Sequence, residues 1–284
     1  MKKLARKVFN ARTGSAALAY AFLCVAALLA AGPLVIIIFT SFKGQFEIVS
    51  NTAQLLPEKF TLYWYNSLLH KTDFLIYVKN SLVYSSLATL LGIAISSLAA
   101  YAITRYKGKK QKMFTRAIVM TYMFPPILLA IPYFMLVSAL GLANTTRGLL
   151  MAYMSFTVPF CTYLLVSYFK TVPIDVEEAA LIDGLTRPGV FFKISLPLVA
   201  PGVVATAIFA FINAWNEFLY SLLIISSGDK QTVSVGLYSL KGGMETLQWG
   251  DMMAASVLVV IPSIIFFSII QKSIAAGLTA GAGK

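Results

Sequence analysis

The chain has 284 residues, 58% of them hydrophobic and 12% charged, with a mean hydropathy of +0.79. Soluble globular proteins carry about 25% charged residues, so this composition places the chain in a membrane. Its charges are lopsided, 23 Lys and Arg against 11 Asp and Glu, but a nucleic-acid partner needs cations on a broad water-exposed face, which so apolar a chain lacks.

Six charge-poor runs are long enough to cross a bilayer. A helix rising 1.5 Å per residue needs about 20 apolar residues to span about 30 Å of hydrocarbon. The first run, 13–42, follows a basic tail over 1–15 and predicts a helix over 16–40. Its apolar stretch exceeds the roughly 7 to 15 residues of a signal-peptide core, so it is expected to be a retained span. An outer loop over 41–80 follows. Run 80–104 predicts a helix over 81–104, with small Gly92, Ser96, Ser97, Ala99 and Ala100 suited to close helix approach. Runs 117–146 and 148–169 predict helices over 117–140 and 148–168. Run 194–228, interrupted only by Glu217, and run 252–271 predict helices over 200–225 and 253–274. Pro125, Pro126, Pro132, Pro159 and Pro262 fall inside these spans, either as ordinary kinks or as bends around a solute path. The fold class expected is all-α and polytopic, with six transmembrane helices.

Orientation follows from the basic residues of the short flanks. Lys2, Lys3, Arg6, Lys7 and Arg12 precede the first span, and Arg105, Lys107, Lys109, Lys110, Lys112 and Arg116 follow the second with no acid among them. Both segments are expected in the cytoplasm, and alternation puts both termini there. On this topology the inner side carries 16 basic residues and the outer side 7.

The inner loop between the fourth and fifth spans, 171–197, reads as a short helix with punctuation. Pro173 precedes it, Asp175 is a candidate N-cap with Glu178 three residues on, and Gly184 stops it. Pro188 suits the first turn of a second helix over 190–195, ended before Pro197. On the first helix Val176, Ala179, Ala180 and Asp183 share one face at i, i+3, i+4 and i+7. Its acids Glu177, Glu178 and Asp183 suit a headgroup surface poorly, where such helices present Lys and Arg. A protein groove is the better partner.

This segment also carries a signature. Glu178-Ala-Ala-Leu-Ile-Asp-Gly184, nine further residues and Ile194-Ser-Leu-Pro197 match the E-A-A-x-x-x-G, I-x-L-P pattern of bacterial ABC importer permeases. The whole chain resembles the MalG-like subunits of maltose-type carbohydrate importers. Ala214-Trp-Asn-Glu-Phe218, Trp249-Gly-Asp251 and Gly277-Leu-Thr-Ala-Gly281 share that likeness.

The resemblance implies a type I ABC importer permease fold, with a core over 81–275 to which span 1 is an addition. It implies that Glu177, Glu178, Ala179, Ala180, Asp183 and Gly184 couple to a cytoplasmic ATPase, Glu178 foremost. The tail over 276–284, with Gly277, Leu278, Thr279, Ala280 and Gly281, would reach between two copies of that MalK-like ATPase. The outer loop over 226–252 would meet an extracytoplasmic sugar-binding protein, and a MalF-like second permease would complete the pore. No cofactor is expected on this chain, ATP and Mg²⁺ belonging to the ATPase.

For the solute path, Asn213, Asn216, Glu217 and Tyr220 in the fifth span are candidates, since an ionisable residue inside a span is by default functional; interhelical hydrogen bonding of Glu217 is the competing account. Other chemistries lack their residues. One histidine, His70, and two cysteines inside apolar runs, Cys24 and Cys161, offer no zinc-ligand spacing. No G-x-S-x-G elbow or G-x-x-x-x-G-K-[ST] phosphate loop is present. The chain is expected to be a non-catalytic subunit of an importer for a di- or oligosaccharide such as a maltodextrin. The alternative is a secondary transporter or channel for a small polar solute, which ordinarily needs coupling carboxylates near the midplane.

Overall fold

Helices account for the architecture, and the reason they divide where they do lies mostly in prolines and a few polar side chains. The computed structural model describes the backbone of residues 2–50, 54–106, 108–240 and 249–281, and side chains over the same ranges apart from 2–15, 17–18, 109–112, 119, 122 and 269–281. No strand occurs among the described residues. In chain order the helices are α1 (Lys2–Thr40), α2 (Gln45–Ser50), α3 (Tyr63–Lys71), α4 (Phe74–Arg105), α5 (Lys109–Met123), α6 (Pro126–Ala139), α7 (Thr146–Phe169) and α8 (Ile174–Ile182). They continue with α9 (Arg187–Leu198), α10 (Ala200–Trp215), α11 (Leu219–Ile224), α12 (Val233–Ser239) and α13 (Trp249–Gly281).

Four of these contain stretches long and apolar enough to cross a membrane: Ala19–Thr40, Phe74–Arg105, Thr146–Phe169 and Trp249–Ser268. A fifth appears if α9 and α10, bent by 78° about Val199, count as one span. Two of the six predicted spans are therefore not single helices. The third is cut at Phe124-Pro125, both in extended backbone, because the residue before a proline is driven out of the helical region; Pro126 then opens α6 at a position where its missing N–H costs nothing. The fifth is cut at Asn216–Phe218. By contrast Pro132, Pro159 and Pro262 lie inside continuous helices.

The chain forms two compact units. The first comprises Met1–Lys71 and Leu240–Leu258. Here Trp64 is buried, its indole N–H donating to the Lys43 carbonyl at 2.7 Å. Gly250, in the first turn of α13, lies so close beneath that ring that a Cβ would come within 2.0 Å of it. Trp64 is thus a core residue of this unit.

The second unit comprises Thr72–Ser239 and Val259–Lys284. Its centre is α4 packed along α7 and α10. Ser81, Ser85, Ala88, Thr89, Gly92, Ser96 and Ala100 recur at helical spacing on the buried face of α4, and their small size brings the backbones together. A Cβ on Gly92 would fall 2.5 Å from the Thr157 methyl of α7. Ser96 Oγ donates to the Val158 carbonyl at 3.0 Å. Longer apolar side chains of α4, such as Leu90, Leu91 and Leu98, face outward. One buried cluster gathers Tyr84, Leu149, Tyr153, Ala214, Tyr220 and Ile224, and another gathers Leu165, Phe169, Val172, Phe191 and Val199 next to the inner loop.

Candidate functional site

The signature segment folds as α8, starting two residues earlier than the candidate N-cap Asp175 suggests. Pro173 is the N-cap and makes no side-chain cap bond, while Asp175 and Glu177 sit in the first turn, where the helix dipole favours acids. The reciprocal capping box expected of Asp175 and Glu178 is not formed. At the other end Gly184 has φ +90°. Its N–H donates to the Leu181 carbonyl at 3.1 Å, and that of Leu185 donates to Ala180 at 3.0 Å, a left-handed helix stop that glycine provides without strain.

The acidic face divides. Glu178, Ala179, Asp183 and Gly184 are exposed together with Asp175, Val176 and Ile182, the last at 86%. Glu177 and Ala180 are buried, at 4% and 7%. Of the six residues that the importer resemblance singles out, Glu177 and Ala180 thus turn into the protein.

Glu177 is occupied there. Arg105, the last residue of α4, donates from Nη2 to Oε1 at 2.7 Å and from Nε to Oε2 at 2.8 Å. Ser195 Oγ donates to Oε1 at 2.6 Å and Tyr101 OH to Oε2 at 3.2 Å. Arg105 Nη2 also donates to the carbonyls of Phe169 and Val172, at 3.1 and 3.3 Å. Burial by itself pushes the Glu177 carboxyl upward, but the Arg105 guanidinium and the Ser195 and Tyr101 hydroxyls outweigh it and hold the group below the ordinary carboxylate range. Ser195 lies in Phe191–Ser195, a π-helical turn inside α9. The second helix of the loop thus starts at Arg187, capped by Thr186 Oγ1 accepting from the Gly189 N–H, and runs through Pro197 instead of ending before it.

Three of the four solute-path candidates meet at a cavity of about 420 Å³, whose lining residues all belong to the second unit. Asn213, Glu217 and Tyr220 line it; Asn216 does not. Phe124, Tyr133, Phe156 and Phe160 supply aromatic walls, and Thr121, Ser155 and Thr157 supply hydroxyls. The Tyr220 ring stacks near-parallel to Phe156, centroids 6.3 Å apart, and meets Tyr133 edge-on at 5.7 Å. Among the described residues, no Lys or Arg lines the cavity. Glu217 accepts from the backbone N–H of Tyr220 at 2.7 Å, from that of Ser221 at 3.0 Å and from the Ser221 hydroxyl at 3.0 Å. Its carboxylate therefore restarts the chain as α11 after the break, and borders the cavity while doing so.

At the far end of this unit the first part of the 226–252 loop is tied down. Asn144, at φ +57°, accepts at Oδ1 from the N–H groups of Ser226 and Ser227, and its amide donates to Ser227 Oγ at 2.6 Å. Asn80 donates to the carbonyls of Asp229 and Gln231, and the Val233 N–H donates to Ser81 Oγ at 2.7 Å. Residues 241–248 of that loop and 282–284 of the tail lie outside the described residues. The backbone of Gly277, Leu278, Thr279, Ala280 and Gly281 continues α13.

Sequence reasoning missed Arg105, Tyr101 and Ser195 as partners of Glu177, and Tyr133, Phe156 and Thr157 as cavity walls. Arg105 read only as one topogenic cation among six. Its place at the last turn of an apolar helix, and that of Ser195 inside the I-S-L-P element, were the available signals.

Residues 92–279 match the family described as binding-protein-dependent transport system inner membrane component. The inner membrane ABC transporter permease protein YcjP of Escherichia coli (strain K12) is 34% identical over 277 residues, 97% of this chain and 99% of that protein. The trehalose/maltose transport system permease protein MalG of Thermococcus litoralis is 41% identical over 208 residues, 73% and 75% of the two chains. A chain of a bacterial ABC transporter that imports the acidic polysaccharide alginate superposes with a TM-score of 0.77 at 22% identity, covering 90% of this chain and 94% of that one, a likeness of fold.

Proposed function

We propose that this chain, which belongs to the family of binding-protein-dependent transport system inner membrane components and is a multi-pass ABC-importer permease subunit of the inner membrane, carries a di- or oligosaccharide, maltodextrin-like in character. The sugar is delivered by an extracytoplasmic binding protein, and the work comes from a separate ATPase on the cytoplasmic side. A second, MalF-like permease completes the pore and two MalK-like ATPase chains bind ATP and Mg²⁺. Six spans with both termini cytoplasmic are the topology we adopt. In it the third span is α5 with α6, and the fifth is α10 with α11, each broken.

The observation that carries this reading is the shape of α8: a short, glycine-stopped helix with Glu178, Ala179, Asp183 and Ile182 exposed. Small and acidic residues beside the exposed aliphatics Ile174, Val176 and Ile182 suit a groove with basic walls, and this is the segment with the importer signature. Nucleotide-driven closing of the ATPase dimer shifts the permease between inward- and outward-open states only by contacting α8 differently in the two. Along the path, Tyr220, Tyr133 and Phe156 offer aromatic faces and Asn213, Ser155 and Thr157 offer donors and acceptors, a combination matched to a sugar ring with apolar faces and a hydroxyl rim.

A secondary transporter needs a carboxylate free to take and release a coupling ion. Glu217, the single acid of the charge-poor runs, is engaged by three donors, which argues against that alternative. Uptake into membrane vesicles separates the two. Accumulation that requires ATP and the binding protein, with an ATPase co-purifying, is expected; uptake driven by an ion gradient without ATP would refute the proposal.

A further inference from the structure

We infer that Arg105 and Glu177 form the link through which displacement of α8 is delivered to α4, so that the pair is a transmission element of the transport cycle as well as a brace of the loop. The inference rests on reading α8 as the ATPase-facing helix. Covalent connections join α8 only to its neighbours in sequence, to α7 through 170–173 and to α9 through 183–186. Helix α4 ends far upstream at Arg105, yet it forms the centre of the second unit against α7 and α10. Whatever moves α4 in step with α8 must therefore pass through side chains.

The side chains that meet α8 there are directional. One carboxylate on α8 takes two bonds from Arg105 and one from Tyr101, both on α4, and one from Ser195 on α9. The same guanidinium closes onto the carbonyls of Phe169 and Val172 at the inner end of α7. Four segments converge on a single ion pair whose side chains are 8% and 6% exposed. An apolar contact in this position could slide. A bidentate, buried pair cannot be drawn apart without leaving two uncompensated charges, so the lower-energy response to a push on α8 is for α4 to follow. The division of labour along the helix fits: Glu178 faces outward to a motor while its neighbour Glu177 faces inward to the transmission.

The test uses the assembled importer, this permease with its partner permease, ATPase and binding protein, reconstituted in liposomes. Solute moved per ATP hydrolysed is measured for Glu177→Gln, Arg105→Gln and Ser195→Ala, with Glu58→Gln, exposed and outside α8, as control. The two charge-removing variants are expected to assemble with the ATPase and keep binding-protein-stimulated hydrolysis. Their solute-to-ATP ratio is expected to fall by roughly 5- to 150-fold, the usual range of coupling between sites. Ser195→Ala should fall less in the same direction and Glu58→Gln should not change. An unchanged ratio in Glu177→Gln and Arg105→Gln overturns the inference, as does a loss of transport matched by an equal loss of hydrolysis or of assembled complex. Absence of an ATPase from the unmutated preparation would instead defeat the reading of α8 itself.

Discussion

Arg105 removal leaves Glu177 as a buried carboxylate bonded only to two hydroxyls, and truncating one partner of a buried pair costs about 3–5 kcal/mol. Arg105→Ala is therefore expected to lower the thermal unfolding temperature of the purified protein well below that of a surface change such as Asp175→Asn, measured in the same detergent. The pH dependence has a definite sign. The folded-state pKa of Glu177 lies below its ordinary value, so its contribution to stability is present above the ordinary carboxylate range and is lost as pH falls through the depressed value. Stability measured downward from neutral pH should decline more steeply in the unmutated protein than in Glu177→Gln; parallel profiles would show that the pair contributes nothing to the acid limb. At this scale the sequence was legible only in part. The exposed Glu178 and Asp183 and the left-handed Gly184 follow from local rules of helix periodicity and termination. The inward turn of Glu177 follows from a cation separated from it by three helices in sequence, which no local rule supplies.

Breaks in helices, rather than the helices, set the cavity. Pro125 ends α5 for a reason written in the sequence, whereas the break at Asn216–Phe218 has no proline or glycine. It holds because Glu217 gives its carboxylate to the first N–H groups of α11, a cap worth about 0.5–2 kcal/mol. Glu217→Gln keeps an acceptor oxygen and is expected to retain most uptake; Glu217→Ala removes the cap, and a several-fold loss is expected. Equal and complete loss in both variants would mean that the charge itself is required, the result a coupling-ion site demands. Close packing between elements gives a second expectation. A Cβ on Gly148, in the first turn of α7, would lie 2.3 Å from the Leu142 carbonyl oxygen. Gly148→Ala must displace backbone and should cost about 1–3 kcal/mol, read as a lowered unfolding temperature. The small-residue face of α4 was visible in the sequence as a packing surface. Its partner helix was not, because residue size fixes how near a neighbour comes and not which neighbour it is.

Composition placed the whole molecule in a membrane, and the uneven distribution of its basic residues proposed an orientation. What composition does not reveal is that two of the six apolar runs are divided helices, since hydropathy measures the cost of burial in lipid and is silent about backbone continuity. The division has a functional sense in the proposed account: the apolar runs that break, α5 with α6 and α10 with α11, supply most of the cavity lining, while α4 and α7 are continuous helices. In the proposed function, energy enters this permease by contact at α8. The most direct measurement is binding-protein-stimulated ATP hydrolysis and uptake by the reconstituted importer carrying Glu178→Arg, whose side chain lies on the exposed face and outside the internal ion pair. The protein is expected to insert and fold as before, with both uptake and stimulated hydrolysis abolished. Normal uptake by that variant would contradict the account.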